Sequence, residues 1–289
     1  MSVDTAAAAQ FIAGHARLIE RRRLGCFEGD GSAAAVVAAL NACVNADGSL
    51  GHLEPDVRTP AGQPSAMLYA LEILDEVGAR DDALTGGALD WLGRAATNDD
   101  GGVPFVLPSA GGWPHAPWFA PVEDPPSSLL MTAALAAQVH RLGLEHPWLA
   151  PATAFCWEHG EHPAPATLGA YALRAFVDLL DAVPDRPRAE AALEALAPLI
   201  PADGLIPVAA GVEGEVLRPL DLAPHPGHAG RRLFADDVID RELDRLAAGQ
   251  ADDGGWTFTW AAWNPTAAWE WRGIVTIRAL RTLRAYGRL

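Results

Sequence analysis

With 289 residues, half of them apolar, and ten tryptophans, the chain can bury a substantial core and is too hydrophobic to remain disordered. A formal net charge of −16 argues against a nucleic-acid backbone as partner. Three cysteines, at 26, 43 and 156, show no paired metal-ligand spacing, and no apolar run reaches the roughly 18 residues of a membrane span. These features predict a soluble, cytoplasmic protein forming one domain over residues 1–289. They are compatible with peripheral membrane contact through an apolar rim and leave the oligomeric state open.

The first predicted element is an Ala-rich helix over 4–23, carrying Phe11, Leu18 and Ile19 and closing near Gly25. Its end holds the one basic run, Arg21-Arg22-Arg23, where cations are favourable for ordinary electrostatic reasons. A second helix over 32–44 leads to an irregular passage, 49–64, with His52, Glu54 and Asp56. Met67, Leu71 and Leu74 then recur at i, i+4 and i+7, one apolar face of a helix. Another helix over 82–96 is stopped by Asn98-Asp99-Asp100-Gly101-Gly102.

Residues 103–126 contain seven prolines together with Phe105, Trp113, His115, Trp118 and Phe119. That density of proline excludes a long helix or a central strand, and so many aromatics predict an ordered loop rather than a solvated linker. Asp124-Pro125 is read as the start of the next helix, with Met131, Leu135, Val139 and Leu142 on one face. A short helix over 154–157 follows, then one marked by Leu173, Phe176 and Leu180, and a partner over 189–199. A second irregular passage, 205–232, holds His225 and His228. Ile239, Leu243 and Leu246 mark a helix before the last junction. Trp256, Phe258 and Trp260 alternate briefly, and Trp263, Trp269 and Trp271 precede a terminal helix with Arg278, Arg281 and Arg284 on a solvated side.

One junction organises the rest: Gln250-Ala251-Asp252-Asp253-Gly254-Gly255-Trp256. The glycines permit a sharp turn, the aspartates can accept from exposed N–H groups within it, and Trp256 adds a large apolar surface. Weaker copies stand at Asp47-Gly48, Asp100-Gly101 and Asp203-Gly204. The intervals from Asp47 to Asp253 are 53, 103 and 50 residues, a period near 50 with one degenerate member, for which Trp157-Glu158-His159-Gly160 is the candidate. The fold expected is all-α, an α/α toroid of about five helical hairpin repeats with irregular loop insertions. The two long insertions share a layout, and matching positions in a repeat would bring both to one rim.

Gln250, Gly254 and Trp256 reproduce the Gln-x3-Gly-x-Trp core that resembles the repeat motif of squalene/oxidosqualene cyclases and related terpenoid cyclases, an α/α-toroid superfamily that includes prenyltransferase β subunits. The resemblance implies a central apolar cavity, isoprenoid substrates in many members, and a structural role for Gln250, Gly254 and Trp256 in tying neighbouring repeats together. The chain departs from the family where its chemistry resides. No Asp-x-Asp-Asp acid motif and no zinc pattern occur. Asp236, Asp237 and Asp240 have Asp-Asp-x-x-Asp spacing, which would suit Mg²⁺, yet they read as the acidic first turn of a helix.

An enzyme of this kind acting on a small apolar substrate, such as the isoprenoids the resemblance implies, needs a general acid in a dry pocket and aromatic faces for developing positive charge. The irregular passages and the C-terminal aromatic run supply Glu54, Asp56, His115, Asp124, His225, His228 and Glu270, of which Glu270, His115, His228 and Asp56 are the preferred acids. Trp113, Trp118, Phe119, Trp260, Trp263, Trp269 and Trp271 are the expected substrate-facing aromatics. No metal site and no cofactor are expected, apart from the Mg²⁺ alternative. Two other readings stand beside this one: a non-catalytic repeat protein that binds an apolar ligand, and a glycan-active α/α-toroid lyase or hydrolase, whose acidic surface would favour neutral sugars.

Overall fold

The computed structural model describes residues 3–161, 168–209 and 211–289. Among them the chain is predominantly α-helical, with twelve α-helices, four short 3-10 turns and one two-stranded antiparallel ribbon. It divides into two units, residues 37–195 and residues 1–36 with 196–289, the boundaries falling within α3 (Ala33–Asn41) and α9 (Arg186–Leu196).

In the first unit, α6 (Leu129–Arg141) packs against α4 (Pro64–Glu76), α7 (Leu149–Gly160) and α8 (Ala170–Ala182), and α5 (Asp82–Ala95) lies on α4. Met67, Leu71 and Leu74 on α4 and Met131, Leu135 and Val139 on α6 are all buried, so the predicted apolar faces are the packed ones except at Leu142, which caps the end of α6 and is half-buried. Each such side chain contributes about 1.5–3 kcal/mol by leaving water.

In the second unit, α12 (Pro265–Ala285) packs against α1 (Thr5–His15), α2 (Leu18–Glu28) and α11 (Asp236–Ala248), while α10 (Pro219–Leu222) contacts α11. Within the second irregular passage β1 (Ile206–Pro207) pairs antiparallel with β2 (Val216–Leu217).

Several helix boundaries differ from those expected. The opening segment is two helices, because Ala16 is extended between α1 and α2, and α2 runs through Gly25 to stop at Gly29 in the left-handed region. α6 starts at Leu129 with Ser128 as its cap, its Oγ accepting from the Met131 N–H (3.3 Å), and not at Asp124-Pro125. The reason is local pairing: Ser127 bridges to Pro104, which keeps the chain extended up to the cap. Residues 157–160 are the last turn of α7, so they do not form a fifth Asp-Gly-type turn. α12 begins at Pro265 behind an Asn264 cap, which places Trp269, Glu270 and Trp271 in its second turn.

The four Asp-Gly junctions share one bonding scheme. Each aspartate Oδ1 accepts the N–H two residues on: Ser49 (3.0 Å), Gly102 (2.9 Å), Leu205 (3.0 Å) and Gly255 (3.1 Å). Gly48, Gly101, Gly204 and Gly254 all have positive φ, between +77° and +89°, and each donates its N–H to the carbonyl three residues back. In three of them the glycine lies flat on the backbone of a helix: Gly48 on Gly87 of α5, Gly101 on Pro151 of α7 and Gly254 on Ala7 of α1. A side chain there would collide with main chain.

Two junctions extend the likeness. The Val103 and Trp256 N–H groups donate to Thr132 Oγ1 (2.8 Å) and Thr276 Oγ1 (2.9 Å), hydroxyls wholly buried on α6 and α12. At the last junction, Gln250 Oε1 accepts the Asp4 N–H (2.8 Å), and its Nε2 donates to the carbonyls of Asp4 (2.7 Å) and Gly254 (2.9 Å). Trp256 is buried, and its indole N–H donates to the Leu246 carbonyl (2.7 Å).

Candidate functional site

The residues singled out from the sequence fall into two groups, one in each unit. In residues 37–195, the irregular passage that holds Asp56 pairs with the proline-rich loop. Arg58 N–H donates to the Pro114 carbonyl (2.9 Å), Ala116 N–H donates to the Asp56 carbonyl (2.8 Å), and Val57 bridges His115. Gln63, at the start of α4, fastens the head of the loop by accepting from Leu107 N–H (3.0 Å) and donating to Ser109 Oγ (2.8 Å). Proline fixes φ along this loop, and the backbone pairing fixes the rest.

That scaffold brings Asp56, His115 and Trp118 together. Asp56 is buried, at 4% exposure, and its Oδ2 accepts from Trp118 Nε1 (3.2 Å), while the Trp118 side chain stays 42% exposed. His115 Nδ1 lies 2.7 Å from the Trp113 carbonyl, an acceptor only, which assigns a proton to Nδ1. Trp113 is 46% exposed. Phe119, by contrast, is buried and stacked on Phe105 with centroids 4.6 Å apart, so it serves packing. Asp124 is exposed beyond this group.

In residues 1–36 and 196–289, Trp260 stands edge-on to Trp271 (5.3 Å) and stacks on Phe258 (4.6 Å), with Trp263 half-buried nearby in sequence. Trp269 faces away from that set toward α1, stacked on His15 at 4.8 Å. Glu270, between Trp269 and Trp271, is mostly buried and has the Arg17 guanidinium at 3.9 Å. Arg17 in turn makes a two-pronged bond to Glu20 (2.9 and 2.8 Å), itself wholly buried and 3.5 Å from Arg23. His228 is buried in a 3-10 turn, where its Nδ1 accepts from Gly230 N–H (3.2 Å) and its ring meets His225 edge to face at 5.4 Å. It is not among the side chains around Trp260 or Glu270 described above.

Of the charged cluster Arg17, Glu20 and Arg23, the sequence marked only Arg23, as part of a basic run ending a helix; that run lies in the middle of α2, where Arg23 is buried and faces Glu20, three residues away as Arg17 is on the other side. Arg272 was also passed over. It binds Asp253 with both prongs (2.7 Å each) and lies over the rings of Phe11 (4.5 Å) and Trp269 (5.3 Å), so the turn aspartate is clamped to α12.

Among the described residues, no three His, Cys, Asp or Glu side chains gather as a metal site. Asp236, Asp237 and Asp240 are exposed and pair with separate arginines, Arg231, Arg241 and Arg288. Burial in α7 pushes the Cys156 thiol well above the usual range, which removes it as a nucleophile. No helix among the described residues is long and apolar enough to cross a membrane.

No family model and no curated protein matches the sequence. The chain is similar to a crystal structure of a protein from Actinoplanes over 97% of its own length and 88% of that chain, with a TM-score of 0.55 and 18% identity. At that identity the likeness concerns the fold alone.

Proposed function

We propose that the chain is a relative of the terpenoid cyclases and prenyltransferases, built from α/α-toroid hairpin repeats, and that it acts on an isoprenoid or other apolar substrate against the aromatic run of residues 258–271. The observation that carries the scaffold reading is the setting of Gln250, Gly254 and Trp256: Gln250 bonds to Asp4, the cap of α1, Gly254 packs on the Ala7 backbone, and Trp256 bonds back to Leu246 of α11. The chemistry is argued from the neighbourhood of α12. The faces of Trp260 and Trp271 can stabilise developing positive charge, and Glu270 is the carboxyl group placed in the same stretch.

A second reading has its own support. Arg17 faces Glu270 and is held there by Glu20, which suits a fixed ion pair more than a proton donor in a dry pocket. On that reading the same aromatic run binds an apolar ligand without turning it over.

Incubation with farnesyl diphosphate, geranylgeranyl diphosphate and squalene, with and without Mg²⁺, separates the two when products are read by mass spectrometry. Turnover lost in Glu270→Gln supports the enzyme. Turnover unchanged by that substitution rejects Glu270 as the acid. Saturable quenching of tryptophan fluorescence with no product supports the binder, and neither product nor quenching rejects both.

A further inference from the structure

We propose that the paired loops at 54–58 and 113–118 form a binding platform for a neutral saccharide, distinct from the aromatic run on α12 and independent of the reading given for it. Trp118 has an unusual combination of properties. Nearly half its side chain is open to solvent, yet its one polar atom is already bonded inward to a buried carboxylate. An exposed indole fixed by its edge presents its π face outward without the freedom of an ordinary surface side chain. Such a face attracts the weakly positive C–H groups on the apolar side of a sugar ring.

The polar half of a sugar also has a partner here. His115, half-buried, offers Nε2 from a tautomer set by the Trp113 carbonyl, while the buried Asp56 carboxylate holds the indole by its edge. A few placed polar groups beside an aromatic surface are the usual composition of a small-molecule site. The backbone under them is held by the Arg58 to Pro114 and Ala116 to Asp56 bonds, and by prolines at 114 and 117, so little ordering entropy is lost when a ligand docks.

Charge selects among possible occupants. The chain carries −16 overall, and the exposed Val122 is followed at once by exposed Glu123 and Asp124. A chain of this net charge repels uronates and anionic lipid headgroups, whereas a neutral hexose or pentose polymer meets no such barrier.

The test is affinity electrophoresis of the full chain in native gels cast with neutral glucan, mannan, xylan or galactan, with polygalacturonate and liposome flotation on phosphatidylcholine as controls. At least one neutral polysaccharide should retard the protein and shift the indole N–H resonances of Trp113 and Trp118. Trp118→Ala should weaken retardation about tenfold, the equivalent of one aromatic face, with unchanged circular dichroism. Trp118→Phe, which keeps a ring, should retain part of it. No retardation in any neutral gel overturns the proposal. So does retardation equal in wild type and Trp118→Ala, retardation by polygalacturonate alone, or a Trp118 effect seen only with liposomes. Because the α12 reading uses none of these residues, failure of either leaves the other standing.

Discussion

Thr132 and Thr276 are buried hydroxyls with two obligations each: accepting an N–H from the junction strand and donating to the carbonyl four residues back, Ser128 (2.8 Å) and Arg272 (2.7 Å). Valine has the same shape but leaves the Val103 or Trp256 N–H buried with its acceptor removed. Thr132→Val and Thr276→Val should each lose about 1–3 kcal/mol in urea unfolding, and the serine variants should lose less because they keep the acceptor. Neither threonine was visible from the sequence. A Thr within a helical stretch carries no mark of a partner 29 or 20 residues away, whereas Gln250, Gly254 and Trp256 lie within a few residues of each other and could be read directly. The same limit hid Arg17, whose relation to Glu270 crosses most of the chain.

At the scale of single elements, the junction turns and the helix they rest on act together. Gly254 has φ +89° and lies on the Ala7 backbone, so Gly254→Ala combines left-handed strain with a main-chain collision. It should lower stability by about 2 kcal/mol or more. Gln250→Ala should instead loosen α1 locally: amide exchange in residues 5–15 should speed up while α6 and α8 keep their protection. Equal exchange in α1 of the variant and wild type would reject Gln250 as its anchor. Helix existence was readable from apolar spacing, and the misplaced starts have chemical causes. Asn264-Pro265 is a cap followed by proline at the first helical position, a signal present in the sequence but outweighed by the run of tryptophans after it. Asp124-Pro125 resembled the same signal, but Ser128 holds the cap.

Over the whole molecule, the acidic balance determines how the fold meets low pH. Hydrogen bonds from Ser49, Ser127 and Arg272 hold the carboxyls of Asp47, Asp100 and Asp253 below the usual range, and the Leu84 N–H does the same for Asp81. A carboxylate depressed in the folded state contributes stability that is complete above its unfolded pKa and disappears as pH falls through the folded one. Stability should therefore decline below about pH 4. Replacing Asp47, Asp100 and Asp253 by Asn keeps an acceptor in each turn but removes the titration. The slope of melting temperature against pH should flatten below that point, and an unchanged slope would assign acid sensitivity elsewhere. The all-α class was legible in the period of the junctions, whereas the choice of substrate was not, because aromatic faces suit both isoprenoids and sugars.

The bonds between Gln250 and Asp4 also bear on the order in which the protein folds. Phe11 is buried against Gly255 and under Arg272, and Asp4 bonds to a residue 246 positions further along, so α1 is held by segments remote in sequence. Contacts so distant in sequence carry a larger loop-closure cost than the packing of neighbouring helices, so α1 should dock on α12 late in folding and gain amide protection after α6 and α8.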